Sequence, residues 1–134
     1  MSAPINPKKV MIIEDNKLNQ EIAHTIITKL GHNTIQLFEG RDAITKIRAE
    51  KPDLIILDII LPDASGIDIC KELKADPELN KIVVIVITAL SADEDQKRIV
   101  AQSGCEEYIA KPFFPDLFAN TISKYIPVKT TDWS

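Results

Sequence analysis

Leu54-Ile55-Ile56-Leu57-Asp58 sets four apolar residues in an unbroken run and ends it on a carboxylate. A short, continuously apolar run reads as a strand covered on both faces, as in a parallel sheet flanked by helices. Val10-Met11-Ile12-Ile13 and Ile82-Val83-Val84-Ile85-Val86-Ile87 read the same way, and Thr34-Ile35-Gln36-Leu37 and Tyr108-Ile109-Ala110 are weaker strands. Amphipathic stretches fill the intervals. The first, Asn19 to Leu30, carries Ile22, Ala23, Ile26 and Ile27 on one face and stops at Gly31; the second, Gly40 to Glu50, carries Ala43, Ile44 and Ile47. Ile67, Cys70, Leu73 and Lys74 mark a third. A fourth starts at Ser91 as N-cap, with Glu94 as its capping-box partner, and runs to Ser103 before Gly104. Pro115 and Asp116 open a fifth with Leu117, Phe118, Ile122 and Tyr125. Five strands alternating with five helices predict one α/β domain with right-handed crossovers.

Composition narrows the function. The 134 residues fit a single domain, and 45% hydrophobic content supplies an ordinary core. A net charge of −4 argues against nucleic acid as a partner. Cys70 and Cys105 lack metal or disulfide spacing and read as reduced, packed thiols. Met1 to Lys9 has no apolar signal-peptide core, and no apolar run approaches the ~20 residues of a membrane span, so the expected compartment is the cytoplasm without membrane insertion. Residues 127–134 read as a short polar tail carrying Trp133.

The chemistry lies at the strand ends. Glu14 and Asp15 follow the first strand, and Asp58 follows the central one. In an open parallel sheet, ligands bind outside the carboxyl ends of the strands, where the winding reverses. Carboxylates gathered there repel one another unless a cation intervenes, and oxygen ligands of this kind suit Mg²⁺. On their own, Glu14 and Asp15 read more readily as turn and capping residues than as metal ligands. Asp58 is harder to set aside, because a charge that directly follows a buried strand is costly if unpaired. Thr88 ends the fourth strand and Lys111 the fifth, where a hydroxyl and an ammonium suit an incoming phosphoryl group.

This arrangement resembles the receiver domain of bacterial response regulators. The stretches that carry the resemblance are Val10-Met11-Ile12-Ile13-Glu14-Asp15-Asn16, Asp53 through Gly66, Val86-Ile87-Thr88-Ala89 and Tyr108-Ile109-Ala110-Lys111-Pro112-Phe113. The opening Glu14 to Gln20 looks like receivers of hybrid kinases and of single-domain, cell-division-type regulators. The resemblance implies a flavodoxin-like (βα)5 doubly wound sheet of strand order 2-1-3-4-5. It implies a receiver over residues 1–126 and a tail over 127–134, working as a stand-alone regulator.

The implied roles are specific. Asp58 is the phosphoacceptor. Asp15, Asp58, Glu14 and the backbone carbonyl of Ile60 hold Mg²⁺, or Mn²⁺ in its place. Lys111 contacts the phosphoryl group, Thr88 turns toward it, and Tyr108 changes rotamer with Thr88. Pro62 and Gly66 shape the loop after Asp58, and Lys111-Pro112 is a cis peptide. Glu14 departs from the family's commoner Asp. The implied donor is a histidine kinase or phosphotransfer protein. The output is a downstream protein that reads the face of helix four, strand five and helix five, with Phe113-Phe114 contributing to partner binding or to a homodimer. Such a switch phosphorylates and dephosphorylates itself and is not a turnover enzyme. Two other classes share the fold. A flavin-binding electron carrier wants a hydroxyl- and glycine-rich loop where Glu14-Asp15 stand, and a phosphoaspartyl hydrolase wants Asp-x-Asp where Asp58-Ile59-Ile60 stands.

Overall fold

The computed structural model describes residues 7–89, 93–112 and 114–126. Strands and helices alternate as β1 (Lys9–Ile13), α1 (Lys17–Lys29), β2 (Asn33–Leu37), α2 (Ala43–Glu50), β3 (Leu54–Asp58), α3 (Gly66–Ala75), β4 (Val83–Thr88), α4 (Asp93–Ser103), β5 (Glu107–Ala110) and α5 (Pro115–Tyr125). All strand pairings are parallel, in the order β2-β1-β3-β4-β5. The expected doubly wound sheet is therefore present.

Side chains of a strand alternate between faces, so a run with no polar gap must be covered twice. Met11, Ile13, Ile55, Leu57, Val84 and Val86 pack under α2, α3 and α4, against Ile47, Leu73 and Ile99 among others. Val10, Ile12, Leu54, Ile56, Ile85 and Ile87 pack against Ala23 and Ile27 of α1 and Phe118 and Ile122 of α5. All of β3, including Asp58, is buried.

Two helix starts differ from the expectation. α1 begins at Lys17, two residues before Asn19, because Asn16 caps it: the Asn16 Oδ1 accepts the Asn19 N–H at 2.9 Å. α2 begins at Ala43, three residues after Gly40. The Gly40 and Arg41 amides are taken by the Asp63 carboxylate at 2.8 and 2.7 Å, and Asp42 adopts a left-handed conformation with φ 62°. The segment is thus a turn held by a side chain from another loop. Ser91, Leu90, Phe113 and the tail with Trp133 lie outside the described residues.

His32 sits at the far end of the sheet from the acids, buried, with its Nδ1 accepting the Lys8 N–H at 3.0 Å. Burial lowers its pKa below the ordinary value; the nearby Ile126 backbone opposes that, the Lys8 charge adds to it and the Asp53 charge opposes it. As pH falls below about 6.5 the unfolded chain takes up this proton before the folded one, so stability drops. Urea midpoints at about pH 7.5 and about pH 5.5 are expected to differ more for the wild type than for His32→Gln.

Candidate functional site

Sheet register assembles the site. Ile13 pairs with Leu57, so the next residues, Glu14 and Asp58, emerge side by side. Asp58 pairs with Ile87, which puts Thr88 one step beyond it, and Thr88 pairs with Ala110, which puts Lys111 one step beyond that. Groups from four strand ends therefore meet at one rim.

The contacts there are short. Lys111 Nζ lies 2.7 Å from Glu14 Oε1 and 2.9 Å from Asp58 Oδ2, bridging the two carboxylates. Asp58 Oδ1 accepts the Ile60 N–H at 3.0 Å. Glu14 is fully buried, and its Oε1 also accepts from Asn19 Nδ2 at 2.9 Å. Burial alone would lower the Lys111 pKa, but the hydrogen bonds and charges of Glu14 and Asp58 outweigh it, and the ammonium titrates above its ordinary value. Thr88 is buried at the end of β4, and its carbonyl accepts the Lys111 N–H at 2.7 Å. The Lys111-Pro112 peptide is cis.

Glu14, Asp15 and Asp58 each offer a carboxylate oxygen, and these atoms lie within 4.8 Å of one another. Asp15 is exposed while the other two are buried, so the cluster opens to solvent on the Asp15 side. An oxygen-only, carboxylate-rich donor set fits a hard divalent cation such as Mg²⁺ or Mn²⁺.

The loop between β3 and α3 is braced at both ends. At its base the Gly66 N–H donates to the Ile59 carbonyl at 2.8 Å, Ile60 bridges Ser65, and a Cβ at Gly66 would run into the Asp58 backbone. At its tip Asp63 is tied to Gly40 and Arg41, and these backbone bonds hold its carboxyl below the usual range.

The expected site residues Glu14, Asp15, Asp58, Thr88 and Lys111 all lie on this rim, with Ile60 joined to Asp58 through its amide. Tyr108 lies away from the acids, on β5, beside Asp93, Gln96, Lys97, Val100 and Ala101. Sequence reasoning did not single out Asn19, Gln20 or Asp63. Gln20 carried a usable signal: it falls in helical phase with Ala23 and Ile27, and a polar residue at a core position must find partners.

A family model described as the response regulator receiver domain matches residues 10–123. The polar-differentiation response regulator DivK of Brucella anthropi is 44% identical over 120 residues, which span 90% of this chain and 97% of that one. The signal receiver domain of a signal transduction histidine kinase from Syntrophus aciditrophicus superposes with a TM-score of 0.81 at 29% identity, over 89% of each chain. The BeF3-activated receiver domain of DrrB, from Thermotoga maritima, gives 0.79 at 26% identity, over 90% of this chain and 97% of that one. Among the described residues no helix is long and apolar enough to cross a membrane.

Replacing Lys111 with Met removes the ammonium that joins the two buried carboxylates. Breaking a buried ion pair from one side costs about 3 kcal/mol. Urea unfolding in metal-free buffer is expected to show a loss of that order, and millimolar Mg²⁺ is expected to restore part of it.

Proposed function

The chain belongs to the response regulator receiver family, a class of phosphorylation-dependent signalling switches, and from that membership we propose that Asp58 is the residue that accepts the phosphoryl group. The carrying observation is the Lys111 ammonium shared between Glu14 and Asp58, beside an acidic cluster that fits a divalent cation.

The donor is a phosphohistidine on a kinase or phosphotransfer protein. An Asp58 carboxylate oxygen attacks phosphorus, the new O–P bond forms, the P–N bond breaks, and the imidazole leaves with the electron pair. The Ile60 N–H and Lys111 each hold one Asp58 oxygen, which fixes the carboxylate plane for attack. Glu14, Asp15, Asp58 and the Ile60 carbonyl would hold Mg²⁺ or Mn²⁺, whose charge offsets the repulsion between anionic nucleophile and anionic donor. Lys111 then turns from the carboxylates to the phosphoryl oxygens, and the Thr88 hydroxyl donates to them. Hydrolysis of the acyl phosphate at Asp58 resets the switch. Tyr108 is assigned the rotamer change that reports Asp58 phosphorylation at the groove of α4 and β5. That face is assigned to the downstream protein. The receiver unit is assigned to residues 1–126, since Ile126 is still buried and bonded to Ile122. The flavin-carrier and hydrolase alternatives lapse with the family assignment.

Exposed apolar side chains support a protein donor. Among the described residues, the exposed large apolar side chains are Leu18, Phe38, Ile60, Val100, Phe114 and Leu117, and all but Val100, which lies well inside α4, sit in a loop or first helical turn after the carboxyl end of a strand. Apolar side chains left in water on the segments that follow the strand ends are not required by a small anion and suit a docking protein.

With Mg²⁺ and acetyl phosphate, intact mass is expected to rise by one phosphoryl group for the wild type and not for Asp58→Asn; equal labelling of both would overturn the assignment. Phe114→Ala is expected to slow transfer from a phosphohistidine protein by about tenfold. The same variant should label from acetyl phosphate at the wild-type rate, since that donor needs no docking surface.

A further inference from the structure

We propose that Asn19 is a positioning residue that holds the Glu14 carboxylate in the cation pocket. The inference rests on the reading of Glu14, Asp15 and Asp58 as cation ligands.

Glu14 is fully buried, so its carboxylate depends on protein donors. Oε1 receives Lys111 Nζ at 2.7 Å and Asn19 Nδ2 at 2.9 Å, while Oε2 has the Asn16 N–H at a long 3.4 Å. The lysine cannot serve in every state of the site, because the proposed phosphoryl contact draws it away. Asn19 is neutral, does not compete with a cation for the acids, and remains a short donor when Lys111 turns. Glu14 is one methylene longer than an aspartate, which adds a torsion that an anchor must fix.

The rest of α1 is built to deliver this anchor. Asn16 caps the helix on the Asn19 amide, which locks the first turn in place. The next residue, Gln20, is buried, and the two hydrogens of its Nε2 are shared among the carbonyls of Ile12, Glu14 and Leu37 at 3.0, 3.1 and 2.7 Å. Gln20 thus holds the Glu14 backbone while Asn19 holds its side chain. Hydrogen-bond partners of metal-ligating carboxylates typically set metal affinity by about 10–100-fold.

The test is Mn²⁺ binding, read as the free-ion signal in electron paramagnetic resonance. The full-length wild type is compared with Asn19→Ala, Glu14→Asp, the double variant and Asp58→Asn. Asn19→Ala is expected to weaken Mn²⁺ binding about tenfold in the Glu14 background, at the low end for such partners. In the Glu14→Asp background the same substitution is expected to change it less than about twofold, since the shorter side chain does not reach Asn19. Metal-free Asn19→Ala is expected to remain folded with a modestly lowered melting temperature, because it loses one bond to a buried carboxylate while Lys111 still holds that oxygen and Ala is a good helix former at a capped turn. An undiminished affinity, or equal losses in both backgrounds, overturns the inference. If Asp58→Asn binds Mn²⁺ as tightly as the wild type, or the wild type binds none, the reading of the acid cluster falls and this inference with it. A weakened Asp58→Asn beside an unchanged Asn19→Ala sinks the Asn19 role alone.

Discussion

Glu14 and Asp58 emerge from neighbouring strands with almost no access to water, and two such carboxylates repel unless positive charge lies between them. The Lys111 ammonium supplies it, touching one oxygen of each. The remaining features of the rim follow from this sharing. The lysine must arrive from β5, two strands away from β3, so the sheet order that interposes β4 also brings Thr88 alongside. Because one cation serves two anions, the pocket stays acidic when Asp15 is counted, and it keeps an affinity for a second, divalent charge.

Convergence of charge makes the rim expensive to hold together, and the loops around it are correspondingly tied down. Gly66 lets the chain pass against the Asp58 backbone where any side chain would collide. Asp63 reaches from the β3–α3 loop to two amides at the β2–α2 turn, linking the segment that follows Asp58 to one that carries no part of the site. Gln20 joins the ends of β1 and β2 through three carbonyls. Side chains from separate elements thus tie these loops down, which places the acids on a rigid scaffold while the lysine, partly exposed, keeps room to move.

The fold was legible because its signal is unusually clean. Leu54–Leu57 and Val10–Ile13 have no polar alternation, and that alone demands helices on both faces of the sheet. The acids were legible because each directly follows such a run. What escaped was whatever a side-chain hydrogen bond decides, whether its partner is distant in sequence or within a turn or two of the chain. Gly40–Asp42 has an acceptable helical pattern, but Asp63, more than twenty residues on, takes its amides and makes a turn of it. Asn19 opens an amphipathic stretch when read by hydrophobicity, yet the cap at Asn16 moves the start earlier and turns Asn19 toward Glu14. Neither preference is written in the local period of the chain; both are decided by a hydrogen bond that exists only after folding.

The position of Lys111 also bears on how the proposed switch could reach a distant face. Its N–H is bonded to the Thr88 carbonyl, so the ends of β4 and β5 are joined at the residue whose side chain spans the acids. Three residues earlier on β5, Tyr108 stands in register with Val86 and borders the groove against α4. A phosphoryl group at Asp58 that drew Lys111 and Thr88 together would act on this joined pair, not on an isolated side chain. Close-packed strands do not deform smoothly, and a small shift at the rim favours one discrete packing of the neighbouring aromatic ring over another. Phosphorylation then needs only to change the relative stability of two arrangements that the β4–β5 pair already permits, and its differential contacts with Lys111 and Thr88 set how far that balance can move.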